Sequence, residues 1–424
     1  MFRKSTLYYL LLFVLTFHIK PPTVAQRTSL DISFRNLYRP LRLLGLNFVG
    51  RSGDNDNNRQ LVREMGKTQN LNTRARSLVN FCDTLNGPGR RSETRPTSVH
   101  RLRPGDIDII GAMGDSLTAG NGIFATNLLH ITVENRGMVW SIGGQGNWRQ
   151  YLTLPNILKE FNPNLYGYSL RDGLSTDRSS KFNVAELGAM SRDIPNEAHV
   201  LVKRFSRDPK VNMTSDWKIV TLLIGNNDFC SDVCYLPQPE DSIKKHEENM
   251  VKTYRYLRDN LPRLMLNVVP SPILDFLVGL STKTPICHTT LTFECPCLVG
   301  KPKQHVARMK KLMKNWIAKD KEIAARDEFN TETFTINIQP FTYFDELFPT
   351  SDDRVRFKFL SEDCFHMSQR GHAISANYLW NNMLEAEGEK SIMTDPTLMK
   401  EFHCPSVERP YLMTRVNSRK DFQV

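Results

Sequence analysis

The sequence predicts an α/β fold, a mostly parallel sheet with helices packed on both faces. Three observations lead there. Two short apolar runs, one within DIDIIGAMGDSLTAGN (residues 106–121) and one within WKIVTLLIGNND (217–228), stop abruptly at a glycine followed by polar residues, as strands buried on both faces do where they meet a loop. Further strand-like runs alternate with stretches of helical spacing, the pattern of a parallel sheet whose crossovers are helices. Right-handed crossovers then place the C-terminal ends of the strands on one rim, where open α/β sheets bind ligands.

The chain opens on a targeting pattern. Arg3 and Lys4 precede the apolar segment Leu7–Phe17, and Thr23-Val24-Ala25 offers a small-residue cleavage site. Residues 1–25 therefore read as a signal peptide, and the protein as secreted and extracellular. Residues 26–105 read as an N-terminal extension packed on the main domain and partly irregular. Within it the polar run RSGDNDNNR (51–59) reads as disordered, Leu61–Leu85 as one or two helices, and 88–104 as a Pro/Arg-rich connector. The main domain spans 106–390 and starts with the strand before Ser116.

Beyond it, WSIGGQGNW (140–148) lacks the G-K-[ST] ending of a phosphate cradle and reads as a close-packed loop beside the site. Phe182–Ala189 reads as a short strand and turn, and Glu197–Arg207 as a helix. Ile219–Ile224 is the central strand. Pro239–Leu261 reads as a helix whose early Glu240 and Asp241 suit its dipole. Arg263–Pro270 is a strand, Thr284–Gly300 a cysteine-rich excursion and candidate lid, and Lys303–Asp327 a long basic helix. Thr333–Gln339 is the last strand, and Ser361–His372 leads into an apolar helix, Ala373–Leu384. Residues 391–424 form a C-terminal tail that is polar at its end, without a visible tail anchor or lipid-anchor signal. After the leader no stretch approaches the ~20 apolar residues of a membrane-spanning helix.

Composition narrows the function classes. With 424 residues, 40% hydrophobic and 24% charged, the chain suits one large globular domain or two ordinary ones. No internal repeat is evident, which argues against a solenoid. The formal net charge is +11; loss of the leader removes three cations and no acid, leaving +8. The basic residues are scattered and form no nucleic-acid motif, so attraction to anionic membrane surface or polyanionic glycans is the expected consequence.

Eight cysteines (82, 230, 234, 287, 295, 297, 364 and 404) in an oxidising compartment point to disulfides, with about 105 possible connectivities. Cys230 and Cys234 are close enough for a local staple, and Cys82 is placed to tie the extension down. Cys287-His288 and Cys295-Pro296-Cys297 look superficially ligand-rich, but C-x-C is not the usual zinc spacing, so no metal is expected. Asn212-Met213-Thr214 is a candidate glycosylation site.

Four stretches end on the expected rim: GDSL (114–117), NVAELG (183–188), GNND (225–228) and DCFH (363–366). Ser116 is a poor nucleophile unless a base and oxyanion donors accompany it. His366 is the candidate base. Asp363, three residues earlier, sits where a single turn brings its carboxylate to one ring nitrogen while the other faces Ser116. His372 is the rival base, but it lies at a helix start where a histidine packs or caps. Asp115 and Asp228 read as braces of their turns.

Together and in this order the four stretches resemble the GDSL (SGNH) hydrolase family, whose named serine, glycine, asparagine and histidine match Ser116, Gly188, Asn227 and His366. Asn227 takes the G-x-N-D register, with Asn226 at the variable position. Within that superfamily the chain looks most like the phospholipase B group, through PTSVHRLRPGDI, GDSLTAGNG, WSIGGQGNWRQ with TLPNILKEFNP, DWKIVTLLIGNNDFC and EDCFHMSQRGH, over roughly Thr97–Leu384.

The resemblance implies a flavodoxin-like three-layer α/β/α sandwich. It also implies an oxyanion hole made by the Ser116 and Gly188 backbone N–H groups and the Asn227 side-chain amide. Ser116, His366 and Asp363 would form a catalytic triad that needs no cofactor and no metal. The implied activity is hydrolysis of fatty acyl esters in phospholipid or lysophospholipid at a membrane or micelle surface, with no nucleic acid and no obligate protein partner. Members of this group can carry several tandem copies and a membrane tail; one copy and no tail are visible here, so a soluble single-unit form is expected. The alternatives are a GDSL esterase or lipase for other esters, and a catalytically silent lipid-binding homologue.

Overall fold

A computed structural model describes residues 56–69, 81–343 and 352–422. The expected signal peptide and residues 26–55 of the extension lie outside the described residues. The first described element is helix α1, Asp56–Glu64. It corrects the reading of 51–59 as disordered for the four residues 56–59, which are helical. Docking orders it: Asn58 Nδ2 donates to Phe124 O at 2.9 Å, Thr126 Oγ1 donates to Asn58 Oδ1 at 3.1 Å, and Val62 is buried.

The sheet has four parallel strands in the order β1 (Ile109–Gly114), β2 (Lys218–Ile224), β3 (Leu264–Pro270) and β4 (Phe334–Ile338). All four match strands read from the sequence. Their register aligns Met113 with Leu222, Leu222 with Val268, and Val268 with Ile338. The short strand expected over 182–189 is reduced to a single parallel bridge between Asn183 and Ala112. The reason is local: the Asn183 side chain donates to Thr118 O at 2.8 Å and its carbonyl accepts from Arg136 Nη1 at 3.2 Å, which diverts the backbone from the ladder.

Helices fill the two faces. In chain order they are α2 (Ser116–Ala119), α3 (Leu154–Phe161), α4 (Ile194–Arg207), α5 (Asn226–Ser231), α6 (Asp241–Asn260), α7 (Phe276–Ser281), α8 (Pro285–Glu294), α9 (Lys303–Ala324), α10 (Asp353–Phe357) and α11 (Gln369–Leu384). Side chains alternate across each strand. On one face Ile109, Met113, Val220, Leu222 and Leu266 pack on Leu201 and Phe205 of α4 and on Tyr254 and Leu257 of α6. On the other, Ile110, Ala112, Ile219, Met265 and Val269 pack on Ile157 and Phe161 of α3 and on Leu379 and Trp380 of α11. The expected three layers are therefore present. Burial on both faces explains why β1 and β2 read as continuous apolar runs. Helix α3 had no reading of its own from periodicity. Its start is set by Thr153, whose hydroxyl accepts from Asn156 N–H at 3.2 Å, and by Pro155 in the first turn.

A third cluster forms around α5, α7, α8 and α9, with Phe229, Leu277, Leu291 and Trp316 at its centre. Disulfides join it to its neighbours. Cys230 pairs with Cys295, Cys234 with Cys297, and Cys287 with Cys364, while Cys82 pairs with Cys404. The local Cys230–Cys234 staple is thus corrected: Cys230 lies near the end of α5 and Cys234 in the short 3-10 turn that follows it, and each takes its own partner in 295–297. All eight sulfurs are spoken for, which removes the cysteine zinc reading. Three of these bonds also hold the 284–300 excursion, so it is a pinned part of the body and not a free lid.

The flanks are built in. Cys82 ties the extension as expected, but its partner lies in the C-terminal segment. There Leu412 and Met413 are buried and donate backbone N–H groups to Leu102 O and Met383 O, each at 2.7 Å. Among the described residues no helix is long and apolar enough to cross a membrane.

Candidate active site

The rim carries the four stretches named above. Gly114 ends β1 at φ +139°, and a Cβ there would lie 2.3 Å from Leu223 O of the neighbouring strand, so only glycine fits where the chain leaves the sheet. Asp115 then caps α2: its Oδ1 accepts the Leu117 N–H at 2.9 Å. Its Oδ2 accepts from Asn226 Nδ2 at 2.9 Å, and Asn226 Oδ1 in turn accepts the Ser271 hydroxyl at 2.9 Å. Burial raises the Asp115 carboxyl to about 6 against these bonds. The expectation that Asp115 braces its turn matches this geometry. Asn226, assigned no role from sequence, is the residue that couples Asp115 to the ends of β2 and β3. The WSIGGQGNW loop also sits here, with Trp140 Nε1–H donating to Leu117 O at 3.2 Å.

Ser116 is thereby fixed as the first residue of α2. Its Oγ lies 2.8 Å from His366 Nε2, and His366 Nδ1 lies 2.5 Å from Asp363 Oδ2. All three residues are 2% exposed. The 361–366 turn makes this possible: Asp363 Oδ1 accepts the backbone N–H groups of Phe365 and His366 at 3.1 and 3.0 Å, so the carboxylate folds over its own turn onto the ring. Burial disfavours the charged imidazole, but the Asp363 carboxylate outweighs it, with Glu294 and Asp115 adding to the effect, so His366 is raised above an ordinary histidine. The same pairing and the backbone donors hold Asp363 low despite its burial.

His372, the rival base, sits in the first turn of α11 and accepts the Trp140 backbone N–H on Nδ1 at 3.2 Å. Burial, with the His366 charge, lowers it to about 3, so it stays neutral and packs.

Gly188 and Asn227 lie on the two stretches beside Ser116. Glu186 N–H donates to Gly114 O at 3.0 Å, which lays 183–188 along the end of β1. Gly188 takes φ +77°, and a Cβ there would meet nothing within 4 Å, so this backbone faces open space. The Ser116 and Gly188 backbone N–H groups have no hydrogen-bond acceptor among the described residues. Asn227 is half-buried and spends one amide hydrogen on Ala189 O at 2.9 Å. Asp228 braces the same loop: both its oxygens accept the Ser191 N–H at 3.1 Å, and burial raises it to about 7.

Sequence reasoning missed a second polar line behind this loop. Ser191 Oγ lies 2.9 Å from His246 Nδ1, and His246 Nε2 lies 2.8 Å from Asp320 Oδ1, with the ring stacked on Trp316 at 3.7 Å. These residues are buried, and the ring is turned the opposite way from His366, so the array anchors the 186–191 loop. Separations of 55 and 74 positions leave no motif to read. Glu294 was also missed. Asn212 is exposed on the turn before β2.

Glu294, Asp363 and His366 each place one oxygen or nitrogen within 4.8 Å of the others, the spacing of a candidate cation site. Both His366 nitrogens are already engaged, so the cluster is arranged to handle a proton.

Residues 110–379 match the model of the GDSL-like lipase/acylhydrolase family. The chain is 39% identical over 333 residues to the membrane-associated phospholipase B1 of Mus musculus and 37% identical over 338 residues to that of Homo sapiens. These matches cover 76% and 77% of this chain but 22% and 23% of the relatives, so the chain spans about a fifth of their length. Among solved structures, phospholipase A1 from Streptomyces albidoflavus aligns over 64% of this chain and 97% of its own at 14% identity and a TM-score of 0.33.

Proposed function

The chain belongs to the GDSL-like lipase/acylhydrolase family, and from that premise we propose that it is a serine esterase removing fatty acyl chains from glycerophospholipids through an acyl-serine intermediate. The observation that carries the reading is the unbroken line Ser116–His366–Asp363, at 2.8 and 2.5 Å. His366 Nε2 takes the Ser116 proton as Oγ attacks the ester carbonyl, then returns it to the departing alcohol. Water repeats the sequence to release the fatty acid. Asp363 fixes the tautomer and stabilises the imidazolium. The oxyanion is received by the Ser116 and Gly188 N–H groups and by the second hydrogen of the Asn227 amide. Their vacancy and the open space before Gly188 support that role.

The phospholipid assignment draws on the phospholipase B1 relatives. A secreted protein working at a membrane or micelle surface fits the leader pattern, four disulfides and a net charge of +8 once the leader is removed. A fluorophosphonate probe should label Ser116. Purified protein should release fatty acid from phospholipid or lysophospholipid micelles, and Ser116→Ala should abolish both signals. Labelling with turnover only of short-chain soluble esters would move the substrate to another ester; a folded protein that is never labelled would make it a lipid binder.

A further inference from the structure

One side of α8 is given over to the turn that carries Asp363 and His366. Cys287, Thr290, Leu291 and Glu294 follow the i, i+3, i+4, i+7 spacing of a single helix face. Cys287 is bonded to Cys364, between Asp363 and His366 in the chain. Thr290 Oγ1–H donates to Asp363 O at 2.6 Å. Glu294, one turn further on and half-buried, brings a carboxylate oxygen within 4.8 Å of both the Asp363 carboxylate and a His366 ring nitrogen. Covalent bond, hydrogen bond and charge therefore converge from one rigid element on the same four residues.

We propose that Glu294 is a positioning residue of this site, a second carboxylate held by α8 against the Asp363–His366 pair that stabilises the imidazolium formed when Ser116 gives up its proton. The inference rests on the roles given to Ser116 and His366 above. An anion at this distance in a partly dry setting favours the charged ring without taking its proton, since Nδ1 and Nε2 already face Asp363 and Ser116. The other titratable groups that act on the ring include Asp363 on its own turn, Asp115 from the nucleophile turn and His372 from α11. Glu362, next in the chain, is turned away into an ion pair with Lys67. Glu294 is thus the acidic group that reaches His366 from outside both the nucleophile turn and the 361–366 turn.

The test is the pH dependence of fluorophosphonate labelling at Ser116, read in wild type, Glu294→Gln, Asp363→Asn and the double variant. Glu294→Gln should move the acid limb to lower pH by about half to one unit, because His366 loses an anion that favours its protonated form. Asp363→Asn should keep a labelling rate several-fold above that of the double variant, because Glu294 still supports the ring. Superimposed profiles for wild type and Glu294→Gln, with Asp363→Asn equal to the double variant, would overturn the proposal. An NMR titration of the His366 ring C–H needs no reaction and should show the same shift; an unmoved midpoint there also overturns it. Should Glu294→Gln not fold, Glu294→Ser and Glu294→Asp replace it, with Glu294→Asp expected to restore part of the shift. Absent labelling of folded wild type would instead fault the esterase reading, while the ring titration still judges Glu294.

Discussion

Asn226→Ala removes the link beneath Ser116. Asn226 donates to Asp115 and accepts from Ser271, each at 2.9 Å, and alanine loses both bonds. A hydrogen bond to a charged group contributes about 1.5–3 kcal/mol and a neutral one about 1 kcal/mol, so with Asp115 ionised the loss is about 2.5–4 kcal/mol. The loss depends on pH. Burial raises Asp115 to about 6 in the folded chain from 3.8. Between those values folding takes up a proton, so stability falls as pH rises, and above about 6 the whole cost of burying the ion is present. Without Asn226 the folded carboxyl rises further and that window extends upward.

At pH 5 the carboxyl is mostly protonated in both folded proteins, so only neutral bonds are lost, about 2 kcal/mol. At pH 8 the bond to Asp115 is a charged one, and the deficit should grow by about 0.5–2 kcal/mol. Urea unfolding at the two pH values measures this directly. Equal deficits would refute the idea that Asn226 chiefly serves an ionised Asp115.

Ser116→Ala and His366→Ala should each lower turnover on the preferred ester by about 10³-fold or more, and a tenfold loss would contradict their roles. Asn227→Ala should lower kcat by about 10²–10³ with KM nearly unchanged, the mark of a donor used mainly in the transition state; an effect confined to KM would remove it from the oxyanion hole. Replacing Cys287 and Cys364 together by serine opens a link of 77 positions, whose chain-entropy value is about 4.5 kcal/mol, an upper bound because other bonds overlap the same stretch. Guanidinium unfolding should show much of that loss together with a fall in kcat, and unchanged turnover would mean that the 361–366 turn holds its shape without α8.

Much of the sheet was legible because its strands are covered on both faces: Ile219–Ile224 and Leu264–Pro270 are largely apolar, broken only by the buried Thr221 and Asn267, and the polar residues that follow them marked the rim. The Asp363–His366 pair was legible because three residues of spacing already place a carboxylate over its own turn. The rest depends on distances that a linear reading does not contain. Asn226 and Asn227 are adjacent amides, and only the fold shows that one reaches Asp115 while the other reaches Ala189 O. Glu294 is an ordinary helix-end glutamate until Cys287–Cys364 brings its helix onto the site. The expected Cys230–Cys234 staple failed because nearness in sequence says nothing about a segment 63 or 65 positions away that runs alongside both. The polar 51–59 run misled in a similar way, since Asn58 gains its order from Phe124 and Thr126 and not from its own neighbours.

The bond between Cys82 and Cys404, 322 positions apart, closes most of the described chain into a covalent ring. A protease that cuts that ring once opens it without releasing a piece. Ser116 and His366, 250 positions apart inside it, remain on one molecule. Nicked protein should therefore migrate as a single species on a denaturing gel until thiol is added, and clipping during maturation or storage would stay invisible without a reducing lane.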